Sequence, residues 1–125
     1  MSAHGIDAAK VHELKTREDV AFTEAHPRCI DAWHRAQHVM PNGVPMSWLR
    51  TSYDHPPLWV DDAKGARFRD IDGNEYADFN IADMSMFAGY GPDAVVEAVS
   101  RRMGAGSQFL LPSEDSIWVA TELGR

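Results

Sequence analysis

Cysteine is nearly absent from this 125-residue chain: Cys29 stands alone. With no second thiol, neither an intrachain disulfide nor a thiolate metal cluster can form, and a reducing cytoplasm suits the composition. Lysine is scarce as well, limited to Lys10, Lys15 and Lys64. Long apolar runs are missing. The first twenty residues carry Asp7, Lys10, His12, Glu13, Lys15, Arg17, Glu18 and Asp19, which leaves no room for a secretory apolar core, and no later stretch is apolar enough to span a bilayer. Basic stripes are missing too. The formal net charge is −7, and the arginines occur singly or as the pair Arg101-Arg102, so nucleic acid is not an expected partner. No internal repeat is evident.

What is present reads as alternating helix and extended signals. Residues up to about 15 are polar and weakly periodic, which predicts a frayed or disordered start. Thr16-Arg17-Glu18-Asp19 reads as a capping box opening a short helix that ends at His26-Pro27. Pro27 can open a second helix, whose face Ile30, Trp33, Ala36, Gln37 and Met40 runs to Pro41-Asn42-Gly43. Val44 to Pro57 reads as an extended connection.

Leu58 to Val60, Ala66 to Ile71 and Glu75 to Phe79 are strand candidates separated by Asp61 to Gly65 and by the tight-turn pair Asp72-Gly73. They predict a three-stranded antiparallel meander with Trp59 and Phe68 on its buried face and Arg67 and Arg69 on a wetter one. A methionine-rich irregular stretch, Ile81 to Gly91, follows. Pro92-Asp93 then opens a helix with the stripe Val95, Val96, Val99 and Met103, ending at Gly104-Ala105-Gly106. After a link from Ser107 to Pro112, Ser113 to Ser116 is expected to cap a last helix containing Ile117, Trp118 and Leu123. The fold class is α+β. Three strands among four or five helices make a thin sheet, which predicts a lobe that packs against something outside these residues. The end at Leu123-Gly124-Arg125, without a polar tail, predicts an interruption within the last helix.

The order of three motifs carries a family resemblance. Val39-Met40-Pro41-Asn42-Gly43-Val44 is followed by Asp70-Ile71-Asp72-Gly73-Asn74-Glu75-Tyr76-Ala77-Asp78, and then by Gly89-Tyr90-Gly91-Pro92. Together they resemble the N-terminal region of class III, fold-type I pyridoxal-phosphate (PLP) aminotransferases and aminomutases: a Pro-Gly-Gly-Val turn, a D-x-D-G-x-x-Y-x-D hairpin and a G-H-x-x-P helix entry. Here Asn42 replaces one turn glycine and Tyr90 the histidine. The resemblance covers residues 27–125, making 1–26 a leader with a short helix and 27–125 an N-terminal lobe without the large cofactor domain. It implies a full-length enzyme that transfers or migrates an amino group with PLP, acts on an amino acid or amine, and is a cytoplasmic homodimer.

Such enzymes carry PLP on a lysine, and that amine must be desolvated enough to be neutral. Lys10 and Lys15 sit in the charged leader, and Lys64 falls in a predicted turn. The resemblance therefore implies that the catalytic and cofactor residues lie beyond this chain, which alone would be inactive. It also implies a substrate rim at two segments. Ser47 and Arg50, in Pro45 to Arg50, stand where aminomutase relatives grip a substrate carboxylate, and a guanidinium fork matches two oxygens. The bland alternative is an arginine on a packed loop. Asp83, in Asn80 to Ser85, falls where relatives place an aromatic residue beside the substrate, and would favour an amine or hydroxyl; the alternative is a turn-making aspartate. His34 and His38 have metal-ligand spacing but no third ligand nearby, which reads as a solvated face. Two other readings are a non-catalytic protein-binding lobe and the N-terminal part of a PLP-dependent lyase on the same fold.

Overall fold

A computed structural model describes residues 5–125. It contains two compact units, one reaching Tyr90 and the other running from Gly91 to Arg125. Among the described residues no helix is long and apolar enough to cross a membrane.

The first unit opens with α1, Ala8–Ala25. The expected start at Thr16 is corrected. Asp7 is the cap, accepting the amides of Ala9 at 2.9 Å and Lys10 at 3.4 Å. The Thr16 hydroxyl instead donates to the His12 carbonyl at 3.0 Å inside the helix. The polar start, expected to fray, is helical because it is capped and carries the ion pairs Lys10–Glu13 and Lys15–Asp19. Pairs this exposed are screened by solvent and contribute little on their own. Residues 1–4 of that predicted disordered start lie outside the described residues. As expected, α1 stops before Pro27, with His26 at φ −130° and ψ 45°.

Helix α2, Pro27–Ala36, is shorter than expected and buries Cys29, Ala32 and Ala36. Its expected face is rotated: Ile30, Trp33 and Met40 are only half-buried and Gln37 is exposed. His34 and His38 are both exposed, and the helix ends before His38. A 3-10 turn, Pro41–Gly43, brings Gly43 against Trp33. There φ is +69°, and an added Cβ would lie 2.7 Å from Trp33 Cδ1, so only glycine fits. The stretch expected to be extended holds a single helical turn, α3, Trp48–Thr51. The Ser47 carbonyl closes it by accepting the amides of Arg50 at 3.0 Å and Thr51 at 3.2 Å.

The meander is present, in the order β1-β2-β3 with both pairings antiparallel. Its first strand is displaced from the expected position: β1 is Val60–Lys64, β2 Arg67–Asp70 and β3 Glu75–Ala77. Asp61 to Lys64 belong to the strand, which carries an irregularity between Val60 and Asp62, and the turn is Gly65-Ala66 with Gly65 at φ +59°. A positive φ at the first central position suits a two-residue hairpin. The division of faces holds for Phe68, which is half-buried and stacks on Tyr76 with ring centroids 5.0 Å apart; Trp59, also half-buried, precedes β1 and its carbonyl accepts the Ile71 amide at 2.8 Å. On the other face, exposed Arg67 pairs with Glu75 at 3.1 Å and Arg69 pairs with Asp62.

The second unit contains α4, Asp93–Gly104, and α5, Glu114–Leu123. Arg102 links them, reaching Asp115 at 3.3 Å and lying over the Phe109 ring. Ser113 occupies the α5 cap position but does not cap as expected: its hydroxyl donates to the Asp115 carboxylate at 3.3 Å. The α4 stripe is present, yet Val95, Val96, Val99 and Met103 are each more than half exposed, as are Ile117 and Trp118 of α5. Among the described residues the buried ones, His26, Cys29, Ala32, Ala36, Gly43, Val44 and Asp70, all lie in the first unit.

Candidate substrate-rim site

The hairpin motif folds into a clamp. Asp70 is 1% exposed and accepts the Asp72 amide at 3.0 Å, the Asn74 amide at 2.8 Å, Asn74 Nδ2 at 3.1 Å and the Tyr76 hydroxyl at 2.9 Å. Burial alone would raise its carboxyl, but the Asn74 and Tyr76 hydrogen bonds and nearby His26 outweigh that and hold it below the usual carboxylate range. Burial, with Asp70 alongside, pushes the Tyr76 phenol well up. Buried His26 completes the network, bonded through Nδ1 to the Phe22 carbonyl and through Nε2 to the Tyr76 hydroxyl, with Asp70 3.3 Å away. Asn74 Nδ2 also donates to the Ala25 carbonyl at 3.0 Å. The corner between α1 and α2 is thus fastened to the hairpin by polar groups.

Asp72 performs a second task. Its two oxygens receive the amides of Arg28 and Cys29 in the first turn of α2. These bonds, helped by a coulombic contribution from His26, outweigh partial burial and lower its carboxyl. The Cys29 thiol is fully buried, accepts the Trp59 amide at 3.3 Å, and is pushed up to about 11, mainly by burial. Cys29, Asp70 and Asp72 present ligand-type atoms within 4.8 Å of one another. Their carboxylates are already committed to N–H and O–H donors and the thiol keeps its proton, so the cluster is structural.

Beyond β3, Asp78 gathers the next stretch. Its Oδ1 accepts the amides of Asn80 and Ile81, both at 2.8 Å, and its Oδ2 accepts the Ala82 amide at 3.1 Å and the Tyr90 hydroxyl at 2.7 Å. The Tyr90 hydrogen bond foremost lowers the Asp78 carboxyl and, reciprocally, raises the phenol. Ile81, Ala82, Asp83 and Met84 all have positive φ, between 47° and 66°. This left-handed region costs a non-glycine residue roughly 1–2 kcal/mol.

The predicted site residues fall in two places. Arg50 and Ser47 belong to the α3 turn, where the Arg50 guanidinium lies 5.2 Å above the Trp33 ring and donates through Nη1 to the Tyr53 carbonyl at 2.7 Å. No other protein acceptor holds that guanidinium among the described residues. Asp83 is exposed in the left-handed turn. Two surface concavities, one along α1 lined by Thr16, Asp19, Val20, Thr23 and Glu24, the other on the charged sheet face, include none of the three. His26, Asp78 and Tyr90 organise the site without any such role being expected from the sequence. The hairpin motif's acids and the departure at Tyr90 were the available signals.

These elements define a class: the fold is that of the N-terminal region of class III, fold-type I PLP-dependent aminotransferases, and the chain is homologous to that region. Within the class it is similar to glutamate-1-semialdehyde 2,1-aminomutase. The Shouchella clausii aminomutase 2 is 35% identical over 89 residues, which are 70% of this chain and 20% of that one. The solved Pseudomonas aeruginosa aminomutase superposes with a TM-score of 0.90 at 39% identity, covering 97% of this chain and 27% of that one, and a variant of it has been solved with PMP. An omega-transaminase from Sphaerobacter thermophilus gives 0.68 at 27% identity, covering 76% of this chain and 22% of that one. No family model matches. The chain spans about a fifth of the length of the curated relatives it matches.

The lysines present do not fit PLP attachment. Lys10 is more than half exposed and paired with Glu13. Lys15 is raised by its hydrogen bond to Asp19, the opposite of the neutral amine required. Lys64 ends the exposed strand β1.

Proposed function

We propose that this chain supplies the substrate-side rim of a PLP-dependent amino-group-transferring enzyme similar to glutamate-1-semialdehyde 2,1-aminomutase, acting on an amino acid or amine. The observation that carries the reading is the superposition of 97% of the chain on the P. aeruginosa aminomutase at 39% identity. In this reading residues 27–125 form the lobe and 1–26 its leader, the assembly is a cytoplasmic homodimer, and PLP is held by residues beyond those present. The chain alone is inactive.

Arg50 grips the substrate carboxylate. Its guanidinium lies over Trp33 and donates to the Tyr53 carbonyl, which restricts its motion and lowers the orientational entropy lost on binding. Ser47 lies three residues earlier, at the start of the same turn, and adds a hydroxyl. Asp83 disfavours an anionic substrate tail and favours an amine or hydroxyl.

The test is a chimera in which this chain replaces the corresponding N-terminal segment of the P. aeruginosa aminomutase. Amino-group transfer by the chimera, with Arg50→Ala raising KM for carboxylate substrates about tenfold or more, is the expected result. A chimera that binds PLP without transferring an amino group refutes the reading, and an unchanged KM removes Arg50 from it. For the isolated chain, PLP followed by borohydride should leave no stoichiometric cofactor mass on Lys10, Lys15 or Lys64.

A further inference from the structure

We propose that Asp78 is a positioning residue: its carboxylate, fastened by the Tyr90 hydroxyl, imposes the left-handed turn of Ile81 to Met84 and so fixes the shape of the segment that carries Asp83. The consequence for substrate rests on the function proposed above; the latch itself does not.

Four successive non-glycine residues in left-handed backbone, one of them the β-branched Ile81, form a conformation that their own preferences oppose. It persists only where surrounding bonds over-determine it. Backbone turn bonds from the Met84 amide to the Asn80 carbonyl at 3.4 Å, Ser85 to Ala82 at 3.2 Å and Met86 to Ile81 at 3.0 Å close the run, and Asp78 supplies the bonds at its entry. Three consecutive amides, those of Asn80, Ile81 and Ala82, converge on its two oxygens. One carboxylate can receive all three only if the chain wraps around it, and this wrapping leads into the left-handed run.

Both ends of the excursion are pinned to the same hairpin turn. The Asp78 amide donates to the Ala66 carbonyl at 2.9 Å, while Tyr90 exchanges two backbone bonds with Gly65, at 2.8 and 3.0 Å. At Gly89, φ is +85° and an added Cβ would lie 3.1 Å from the Gly65 carbonyl oxygen, so the returning chain lies close against that turn. The Tyr90 hydroxyl then reaches back across the excursion to Asp78 Oδ2. With its ends fixed by backbone and its middle held by the Asp78 carboxylate together with those turn bonds, the segment leaves Asp83, Met84 and Phe87 exposed on a surface of set shape.

Amide hydrogen exchange and intraresidue amide-to-Hα NOEs, which are strong at positive φ, read the latch in the 125-residue chain. In Asp78→Asn the oxygen facing Asn80 and Ile81 is retained and the acceptor for Ala82 is replaced by an NH2 group. Exchange at Ala82 should rise about tenfold, the scale of one lost bond to a carboxylate, with much smaller changes at Asn80 and Ile81. In Asp78→Ala the strong NOEs of Ile81 to Met84 should disappear, while the amides of Asp72 and Asn74, held by Asp70, stay protected.

Retention of those NOEs in Asp78→Ala overturns the proposal, as does an Asp78→Asn chain in which Ala82 is no more affected than its neighbours. If Asp78→Ala unfolds as a whole, seen as lost protection at Asp72 and Asn74, the asparagine variant decides. These readouts need no cofactor. Their failure leaves the amino-transfer reading intact, and failure of the chimera leaves the latch intact.

Discussion

The Asp72 carboxylate closes the first turn of α2 across 43 residues of sequence, with its Oδ2 accepting the Cys29 amide at 2.9 Å and its Oδ1 accepting that of Arg28 at 2.8 Å. A helix N-terminus normally finds its cap in the residue just before it, but here that residue is His26, whose side chain makes no capping bond. The hairpin tip and the helix therefore depend on one another. Asp72→Ala should lower stability by about 1–2 kcal/mol, the range of a lost cap, in urea unfolding at neutral pH. A midpoint indistinguishable from the parent chain would dissociate the helix from the hairpin.

Gly43→Ala should be more damaging than its size suggests. The substitution meets both a positive φ and the Trp33 ring, 2.7 Å from the new methyl. A loss of about 1–3 kcal/mol is expected, the range of overpacking, with a shift in tryptophan emission as Trp33 is displaced and its bond to the Asn42 carbonyl breaks. A chain with unchanged stability and emission would show that the turn relaxes freely.

Acid should act on the Asp70 network. A carboxyl lowered in the folded state stabilises fully above its unfolded pKa of about 3.9, and that contribution is lost as pH falls through the lower folded value. Unfolding midpoints measured from pH 6 to pH 2 should fall for the parent chain and fall less steeply for Asp70→Asn. Equal slopes would mean that other carboxylates control acid unfolding.

Tyr76→Phe removes one hydroxyl bonded to both Asp70 and His26. Buried partners are then left unsatisfied, which costs roughly 1–3 kcal/mol. Because the Phe68 stacking survives in this variant, hydrogen bonding is separated from packing. Thermal unfolding by circular dichroism measures the loss, and an unchanged Tm would assign the hairpin's stability to the rings alone.

Cys29 should resist alkylation in the native chain. It is fully buried, and burial pushes its thiol up to about 11, so little thiolate exists at pH 8. Iodoacetamide labelling followed by mass spectrometry should be slow without denaturant and rapid in urea. Fast native labelling would reveal local opening of α2.

The sequence by itself determined the punctuation: Pro27 at the start of α2, Asp72-Gly73 at the second hairpin turn, Pro92-Asp93 at the entry to α4, and the alternation that sets Phe68 against Arg67 and Arg69. Such signals are local, since a fixed φ, a missing amide or a two-residue period needs no distant partner. Only the tertiary structure decided where α1 begins, that β1 continues through Asp61 to Lys64, which face of α2 is buried, and what Asp70, Asp72, Asp78 and Tyr90 hold. An aspartate reads the same in sequence whether it faces water or receives the amides of a helix 43 residues away. Its role is set by which donors the fold brings to it, because desolvation must be offset by hydrogen bonds that only the folded chain can supply.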